Sequence, residues 1–415
     1  MARVALHIGV FDDSHLWMKE AKNLGYEIVA IHRMDIKDKY YYHLVEQYID
    51  HLYVVDYHNY DKIIEIARAH NISMTVTHPC TNDANLASAV VNSALNLKGI
   101  KKESAAKALS KYDFAVFLRE NNFSRSKWNY KYNDLSLEQI RNLEYPCVVK
   151  PNFGAGSAGV KKIYSPEELI FFMKIKDKEE GYWLADKNDF YIVQEYVRAK
   201  YLIGANCAIK DGKLIIFAHY IKDMLCVNEQ MRQPYFYYEE GLFSRDNNGI
   251  TPETHRELQR CITELGIDNG AGRFDIFVDD DFNLVSIIEL NLRPGSSNAA
   301  TGYHRIFDNN ITKELIKLNT DLSVDFSYGT NPEYNYLFCK NFRFKEGKIR
   351  RIEWPVWSKN VHHFSSTLKP GDTISSCWNA STAHMTGQLL LLGHTKESIL
   401  QELDEITRSI IIEYE

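Results

Sequence analysis

The stretch "VVKPNFGAGSAGVKKI", Val148 to Ile163, sets Gly154, Gly156 and Gly159 in the spacing G-x-G-x-x-G, deep inside a chain of 415 residues. A dinucleotide fingerprint of that form must follow a strand and open a helix at once, so that the helix N-terminus faces the pyrophosphate. Here "CVVK" before the glycines and "GVKKIY" after them both read as strands. A helix begins only at "SPEELIFFMK", with Ser165 at the cap, Pro166 at the first helical position and Glu168 closing a capping box. A Walker A loop fails as well, because Val160 follows the last glycine and no Ser or Thr follows the lysines. What remains is a β-hairpin with a tip of small residues, Gly154, Gly156, Ser157, Ala158 and Gly159, and with Lys150 on its leading strand. Successive bare backbone N–H groups make an anion-binding nest, to which Lys150 adds a point charge. The competing reading is a plain flexible turn, so the choice rests on the rest of the chain.

"RFDIFVDDDFNLVSIIELNLRP", Arg273 to Pro294, supplies the second half of a site. With the turn at Asp281 to Asn283, Asp275 and Glu289 stand opposite one another on adjacent antiparallel strands, their Cβ atoms about 5 Å apart. Alternation carries Asn291 and Arg293 along the face of Glu289 and turns Leu290 and Leu292 into apolar packing. Two carboxylates on a half-buried sheet resist ionisation unless a cation lies between them, and Mg²⁺ takes hard oxygen ligands of this kind together with nucleotide phosphates. The alternative is an exposed acidic hairpin neutralised by Arg293. That reading suits Asp279, Asp280 and Asp281 as turn residues, whereas the apolar flanks "FDIF" and "IIELNL" argue against it for the other three.

Around these segments the chain reads as an ordinary folded protein: 45% hydrophobic, 25% charged, with 10 prolines and a formal net charge of −6. No basic run interleaved with aromatics suggests a nucleic-acid partner, and no run approaches the ~18 apolar residues that span a bilayer. The start, "MARVALHIGVFDDSHL", is too short and too acidic for a secretory signal, and seven cysteines without a C-x-x-C pair match neither a disulfide scaffold nor a zinc site. Cytoplasmic residence is the expectation, and the cysteines read as small buried residues. "VALHIGV", "SHLWMKEAKNLG" and "YEIVAIH" form a βαβ unit, and the alternation continues through the first hundred residues, so an open parallel sheet of Rossmann-like topology is expected there. The lone Gly9 after the first strand is too little for a dinucleotide turn. Ser136 and Gln139 spell a capping box before a short helix, and beyond about residue 330 short strands dominate until a last helix at "TKESILQELDEITRSI".

In order and in chemistry these residues resemble the ATP-grasp ligases over most of residues 1–325. "VVKPNFGAGSAGV" looks like their phosphate-covering hairpin, "VQEYV" like the adenine hinge, and "FDIFV" with "IIELNLRPG" like the strand pair that holds magnesium. The tail "GDTISSCWNASTAHMTGQLLLLGHTKESILQEL" is similar to the biotin-carboxylase-like branch, especially its L-amino-acid ligase and related carboxylate–amine ligase members. The resemblance implies a mixed α/β and α+β fold. Its units are a Rossmann-like pre-ATP-grasp domain over 1–105, a small lobe with the glycine hairpin over 106–195, a large lobe with the metal site over 196–325, and a strand-rich region over 326–415. It implies ATP and Mg²⁺ (or Mn²⁺) as cofactors. Lys111 and Lys150 would meet ATP phosphates or adenine, Glu195, Tyr196 and Val197 would hold adenine and ribose, Asp275, Glu289 and Asn291 would hold the metal, and Arg293 would face the substrate.

The implied activity is ATP-dependent joining of a small carboxylate to an amine, amino acids foremost, through an acyl phosphate with release of ADP and phosphate; no nucleic acid or membrane takes part, and a homodimer is compatible. Three alternatives stay open: a bicarbonate-activating enzyme of the biotin carboxylase kind, a ligase loading an amino acid onto a carrier protein, and a non-catalytic ATP-binding sensor. Two positions depart from the family pattern. "KYLIGAN" lacks an acid after the hinge, and Leu242 in "YYEEGLFS" stands where many amino-acid ligases have histidine. His384 and Met385 read as packed residues, Ser296 to Asn298 as a polar loop, and the aromatics of "RQPYFYYEEG" as either pocket lining or core cover.

Overall fold

The near-continuous apolar runs at Arg3–Ile8 (β1) and Tyr26–His32 (β2) need cover on both faces, and they receive it. With His51–Val54 (β3) and Met74–Thr75 (β4) they form a parallel sheet in the order β3-β2-β1-β4. Leu6, Ile8 and Val29 pack on the helices Tyr60–Ala69 and Asn82–Ala94. Ala5, Ile28 and Ala30 face the helices Ser14–Asn23 and Ile311–Lys317, in a core that continues into the central sheet through Ala208, Phe217 and Leu337. The computed structural model describes every residue except 1–2, 12, 40, 77–80, 155–158, 176–189, 224–239, 245–248, 296–298, 328, 330–332, 343 and 375–385; for 222–223, 240–244 and 299–301 it describes the backbone alone.

A second, antiparallel sheet joins Asn129–Lys131 (β5), Cys147–Pro151 (β6), Lys161–Ile163 (β7) and Tyr191–Glu195 (β8) in the order β5-β8-β6-β7. The glycine segment therefore links two paired antiparallel strands, β6 and β7, as its flanks predict. Cys147, Val149, Val193 and Tyr191 make the covered face, packed on Leu169 and Phe172 of the helix Pro166–Ile175. The caps behave largely as expected. Ser136 and Gln139 exchange both bonds of a capping box. At the next helix Ser165 Oγ accepts from Glu168 N, but the Glu168 carboxylate reaches one residue further back and accepts from Tyr164 N at 2.8 Å.

The central sheet is long because both faces of its middle strands are covered. Tyr201–Lys210 (β9), Lys213–Asp223 (β10), Glu240–Ser244 (β11), Gly270–Val278 (β12) and Leu284–Asn291 (β13) carry it, and three later strands, Tyr336–Asn341 (β14), Val361–Ser365 (β16) and Gln388–Gly393 (β18), extend it. The order of the eight strands is β13-β12-β9-β10-β11-β14-β18-β16. One face of β9 and β12 meets the helices Lys102–Leu109 and Pro252–Leu265. The latter is closed by the Thr251 cap, Pro252 in the first turn and left-handed Gly266. Gly347–Glu353 (β15), Thr373–Ile374 (β17) and Ile411–Tyr414 (β19) make a small separate sheet. Among the described residues no helix is long and apolar enough to cross a membrane.

Candidate active site

The hairpin of β12 and β13 sets Asp275 against Glu289 and Arg273 against Asn291. Because strand side chains alternate, these four polar groups share one face, while Phe274, Ile276 and Leu290 enter the core behind them. Arg273 Nη2 donates to Asp275 Oδ2 at 2.9 Å and stands 3.9 Å from Glu289 Oε1. Asn291 Nδ2 donates to Glu289 Oε1 at 2.7 Å. Of the row predicted from Glu289 through Asn291 to Arg293, the first two lie on the strand. The strand ends at Asn291, and half-buried Arg293 lies in the bend that follows, where strand alternation no longer sets side-chain direction.

Two features of β9 hold this face in place. Gly204 pairs with Asp275 on one side and with Tyr220 on the other. A Cβ on Gly204 would fall 2.1 Å from Tyr220 Cζ, so only glycine lets the phenol ring lie across β9 and bring its hydroxyl within 3.4 Å of Asp275 Oδ1. Two residues along, Asn206 Oδ1 accepts from Gly295 N at 2.7 Å and its amide donates to the Tyr303 hydroxyl at 3.1 Å. That bond draws the loop after β13 down onto Arg273, whose Cδ would lie 2.7 Å from a Cβ at position 295.

Charge in this patch follows burial. Asp275, with 5% of its side chain exposed, has its pKa raised, chiefly by burial; the neighbouring Arg273 works the other way and Glu289 adds to the rise. Glu289 is less covered, at 28%. Burial opposes its charge, but Lys111, the bond to Asp275 and Arg273 outweigh it and hold its pKa down. The pair thus divides into one carboxylate that keeps its charge and one that gives it up more readily.

Lys111 and Lys150 bring the helix Lys111–Glu120 and the β5–β8 sheet to the same place. Lys150, on β6 and 8% exposed, has its ammonium pushed down to about 8 by burial, with Lys111 adding to the effect and Glu289 opposing it. Lys111 opens the helix Lys111–Glu120, and its Nζ donates to the Gly154 carbonyl at 3.0 Å. Asn152 Oδ1 accepts from Tyr112 N at 2.8 Å, so the root of the hairpin is tied to that helix. Gly159 sits at φ 71°, in the left-handed region, where a Cβ would also meet the Tyr191 hydroxyl at 2.8 Å. Gly156, Ser157 and Ala158 lie outside the described residues, as do Ser296 to Asn298, His384, Met385 and most of "RQPYFYYEEG". Glu195 ends β8, and its Oε2 accepts from Lys127 N at 2.5 Å. Glu195, Tyr196 and Val197 line a cavity of about 290 Å³ with Arg125, Tyr145 and Arg198. The Tyr196 ring also receives Lys162 Nζ at 3.7 Å.

The donor set suits a hard cation. Two carboxylates and a side-chain amide oxygen belong to Asp275, Glu289 and Asn291, all of them hard oxygen donors. Among the described residues no three His, Cys, Asp or Glu side chains converge as a metal group, so a divalent ion here would rely on further oxygens from a ligand. Sequence reading passed over Arg273, Tyr220, Gly204 and Asn206. Arg273 was within reach of the same alternation that found Asp275, two residues upstream on one strand; the other three act across a third strand and leave no local signal.

No family model matches the chain. In sequence it is 31% identical over 83 residues to D-alanine–D-alanine ligase A of Bacillus cereus, covering 20% of this chain and 24% of that protein. It is 24% identical over 293 residues to the formate-dependent phosphoribosylglycinamide formyltransferase of Sulfurisphaera tokodaii, 68% of each. The chain spans 24% and 17% of the first two curated relatives it matches and about half, 51%, of a D-alanine–D-alanine ligase of Bacillus anthracis. Among solved structures it superposes on the L-amino acid ligase of Bacillus licheniformis with a TM-score of 0.76 at 15% identity, over 100% of this chain and 99% of that one. On the biotin carboxylase domain of the Hydrogenobacter thermophilus 2-oxoglutarate carboxylase, solved with MgADP, the TM-score is 0.66 at 16% identity, over 100% and 91%. The chain has the ATP-grasp fold, as its hairpin, hinge and acidic strand pair imply. By name, these similar proteins are ligases, a formyltransferase and a carboxylase domain.

Proposed function

We propose that this chain is an ATP-dependent carboxylate–amine ligase that forms an amide bond and releases ADP and phosphate. The observation that carries the reading is the opposed pair Asp275 and Glu289, flanked by Asn291 and Arg273 and within the electrostatic reach of Lys111 and Lys150 from the other lobe. In this reading 106–195 is the lobe that covers the nucleotide and 196–325 the lobe that holds the metal, with 1–105 and 326–415 flanking them. The hinge residues Glu195, Tyr196 and Val197 take the adenine and ribose. Asp275, Glu289 and Asn291 hold Mg²⁺, which when bound neutralises phosphate charge and screens the leaving group.

Lys150, already sparing in its hold on a proton, gains a partner when a phosphate arrives, and Lys111 trades the Gly154 carbonyl for a phosphate oxygen. The glycine hairpin excludes water from the reacting phosphorus. A substrate carboxylate attacks the γ-phosphorus, giving an acyl phosphate and ADP, and an amine then displaces phosphate. Arg293 faces the substrate, where a rigid donor fork suits an oxyanion. Amino acids are the substrate class proposed for both carboxylate and amine, in line with what the names of the similar ligases state.

A phosphate-release screen over pairs of amino acids and small carboxylic acids, with mass spectrometry of the product, tests this. Glu289→Ala and Arg293→Ala are each expected to abolish ADP release while the far-UV circular dichroism stays native. Near-normal turnover from either removes the site assignment, and AMP with pyrophosphate as products overturns the mechanism.

A further inference from the structure

The proposed metal pair already has a cation between its members. Arg273 reaches Asp275 at 2.9 Å and Glu289 at 3.9 Å, and only 17% of its side chain is exposed. Its position is built rather than incidental. Asp275 is fixed from the far side by the Tyr220 hydroxyl, and the Gly295 backbone, held by Asn206, closes over the guanidinium stem so tightly that any side chain at 295 would collide with it. Asn291, the remaining member of the face, donates from its amide nitrogen to Glu289 and leaves its amide oxygen on the same face as the guanidinium.

We propose that Arg273 is an internal substitute for the metal: a positioning residue that neutralises Asp275 and Glu289 in the nucleotide-free protein and must yield to a divalent cation. The inference rests on the reading of Asp275, Glu289 and Asn291 as the metal seat. Removing one partner of a buried ion pair leaves the other unpaired, and Asp275, with 5% of its side chain exposed and Arg273 at 2.9 Å, is such a partner. Arg273 supplies its cation without a metal. The same contact makes the guanidinium a competitor for the metal, and the competition is relieved when nucleotide phosphates offer it and the metal new anions. Metal affinity is therefore low alone and high with nucleotide, and by linkage nucleotide affinity rises with metal by the same factor.

The test uses the full-length protein, Mn²⁺ as the probe, and isothermal titration with and without ADP, beside thermal melting in EDTA. Wild type is expected to bind Mn²⁺ weakly alone and at least tenfold more tightly with ADP. Arg273→Met is expected to melt about 3 °C or more lower in EDTA, to regain wild-type melting with Mn²⁺, and to bind Mn²⁺ alone at least tenfold more tightly than wild type. A purely structural arginine would lower the melting point and leave Mn²⁺ affinity unchanged or weaker, and that result overturns the proposal. If Arg273→Met does not fold, Arg273→Lys carries the test: the shorter point charge loses the 2.9 Å contact and should still raise Mn²⁺ affinity severalfold. Asp275→Asn separates the two readings. Mn²⁺ binding that survives this substitution places the metal elsewhere, which removes the metal seat and with it the role of Arg273. Binding lost in Asp275→Asn but not raised in either Arg273 variant removes only the role of Arg273.

Discussion

Lys150 gives a prediction with two slopes of opposite sign. Its ammonium is pushed down to about 8 by burial on β6, with Lys111 adding to the push and Glu289 resisting it. In the unfolded chain a lysine titrates near ~10.4. A lysine whose folded pKa is depressed sheds its proton on folding once the pH passes that lower value. Between about pH 8 and pH 10.4 the unfolded state therefore binds more protons and stability rises with pH. One pKa unit corresponds to about 1.4 kcal/mol, so the full window is worth up to ~3 kcal/mol. Nucleotide binding runs the other way, because a phosphate selects the charged lysine. At pH 7 about 90% of the free protein carries that charge and at pH 9 about 10%, so nucleotide affinity should fall about tenfold between them. Other groups titrate in this range too, and Lys150→Met supplies the reference that cancels them. The assays are thermal melting of both proteins from pH 7 to pH 10 and ATP-analogue binding by isothermal titration at pH 7, 8 and 9. The expected result is a wild-type melting point that gains on that of the variant above pH 8 while the wild-type affinity loses ground. Parallel melting curves would show that Lys150 is not depressed, and parallel affinities would show that it meets no phosphate; either refutes the argument.

Two glycines make further tests. Gly204→Ala puts a methyl group 2.1 Å from the Tyr220 ring within the middle of the central sheet, and overpacking of this kind should destabilise by about 1–3 kcal/mol, read as a lower melting point. Tyr220→Phe, which takes from buried Asp275 a donor at 3.4 Å, should also lower the melting point, by less than Gly204→Ala does. Gly159→Ala forces a side chain into a φ of 71° against the Tyr191 hydroxyl. It should lower stability by about 1 kcal/mol and weaken ATP binding, and an ATP affinity equal to wild type would show that the hairpin does not cover the phosphates.

The hairpin and the acid pair were legible because each is a local pattern with a strict period. Strands on both sides of Gly154 to Gly159 fix a β-turn setting whatever the tertiary context, and a hairpin of known turn position fixes which residues face each other. The two irregularities on β13, where the register shifts after Asp275 and again after Phe277, lie on the turn side of the Asp275–Glu289 pair. Strand alternation alone does not carry to Arg293, because a period holds only while the strand lasts and β13 ends at Asn291. The depressed lysine, the Tyr220 bond and the Asn206 bond depend on which strand lies beside which. Nothing local in Gly204 announces that a tyrosine 16 positions later in the chain will cross over it to an aspartate on the next strand. The same holds for β14, β18 and β16, which continue a sheet begun more than a hundred residues earlier.

These contacts together describe a site in which two of the cations are engaged within the protein and a third is weakened by burial. Arg273 is held by Asp275, Lys111 by the Gly154 carbonyl, and Lys150 by burial that lets it relinquish its proton. Each engagement is one a triphosphate can replace with something stronger: a charge-assisted bond in place of a neutral carbonyl for Lys111, and a reason to stay protonated for Lys150. Preorganised charge accelerates a reaction only if it is in position before the substrate arrives, yet bare like charges in one cleft would repel and collapse it. Temporary partners within the protein resolve that conflict. They also bear on why the acidic face carries an arginine two residues from an aspartate that a metal is proposed to need: Glu289 has Lys111 within electrostatic reach, whereas the more deeply buried Asp275 is paired with Arg273.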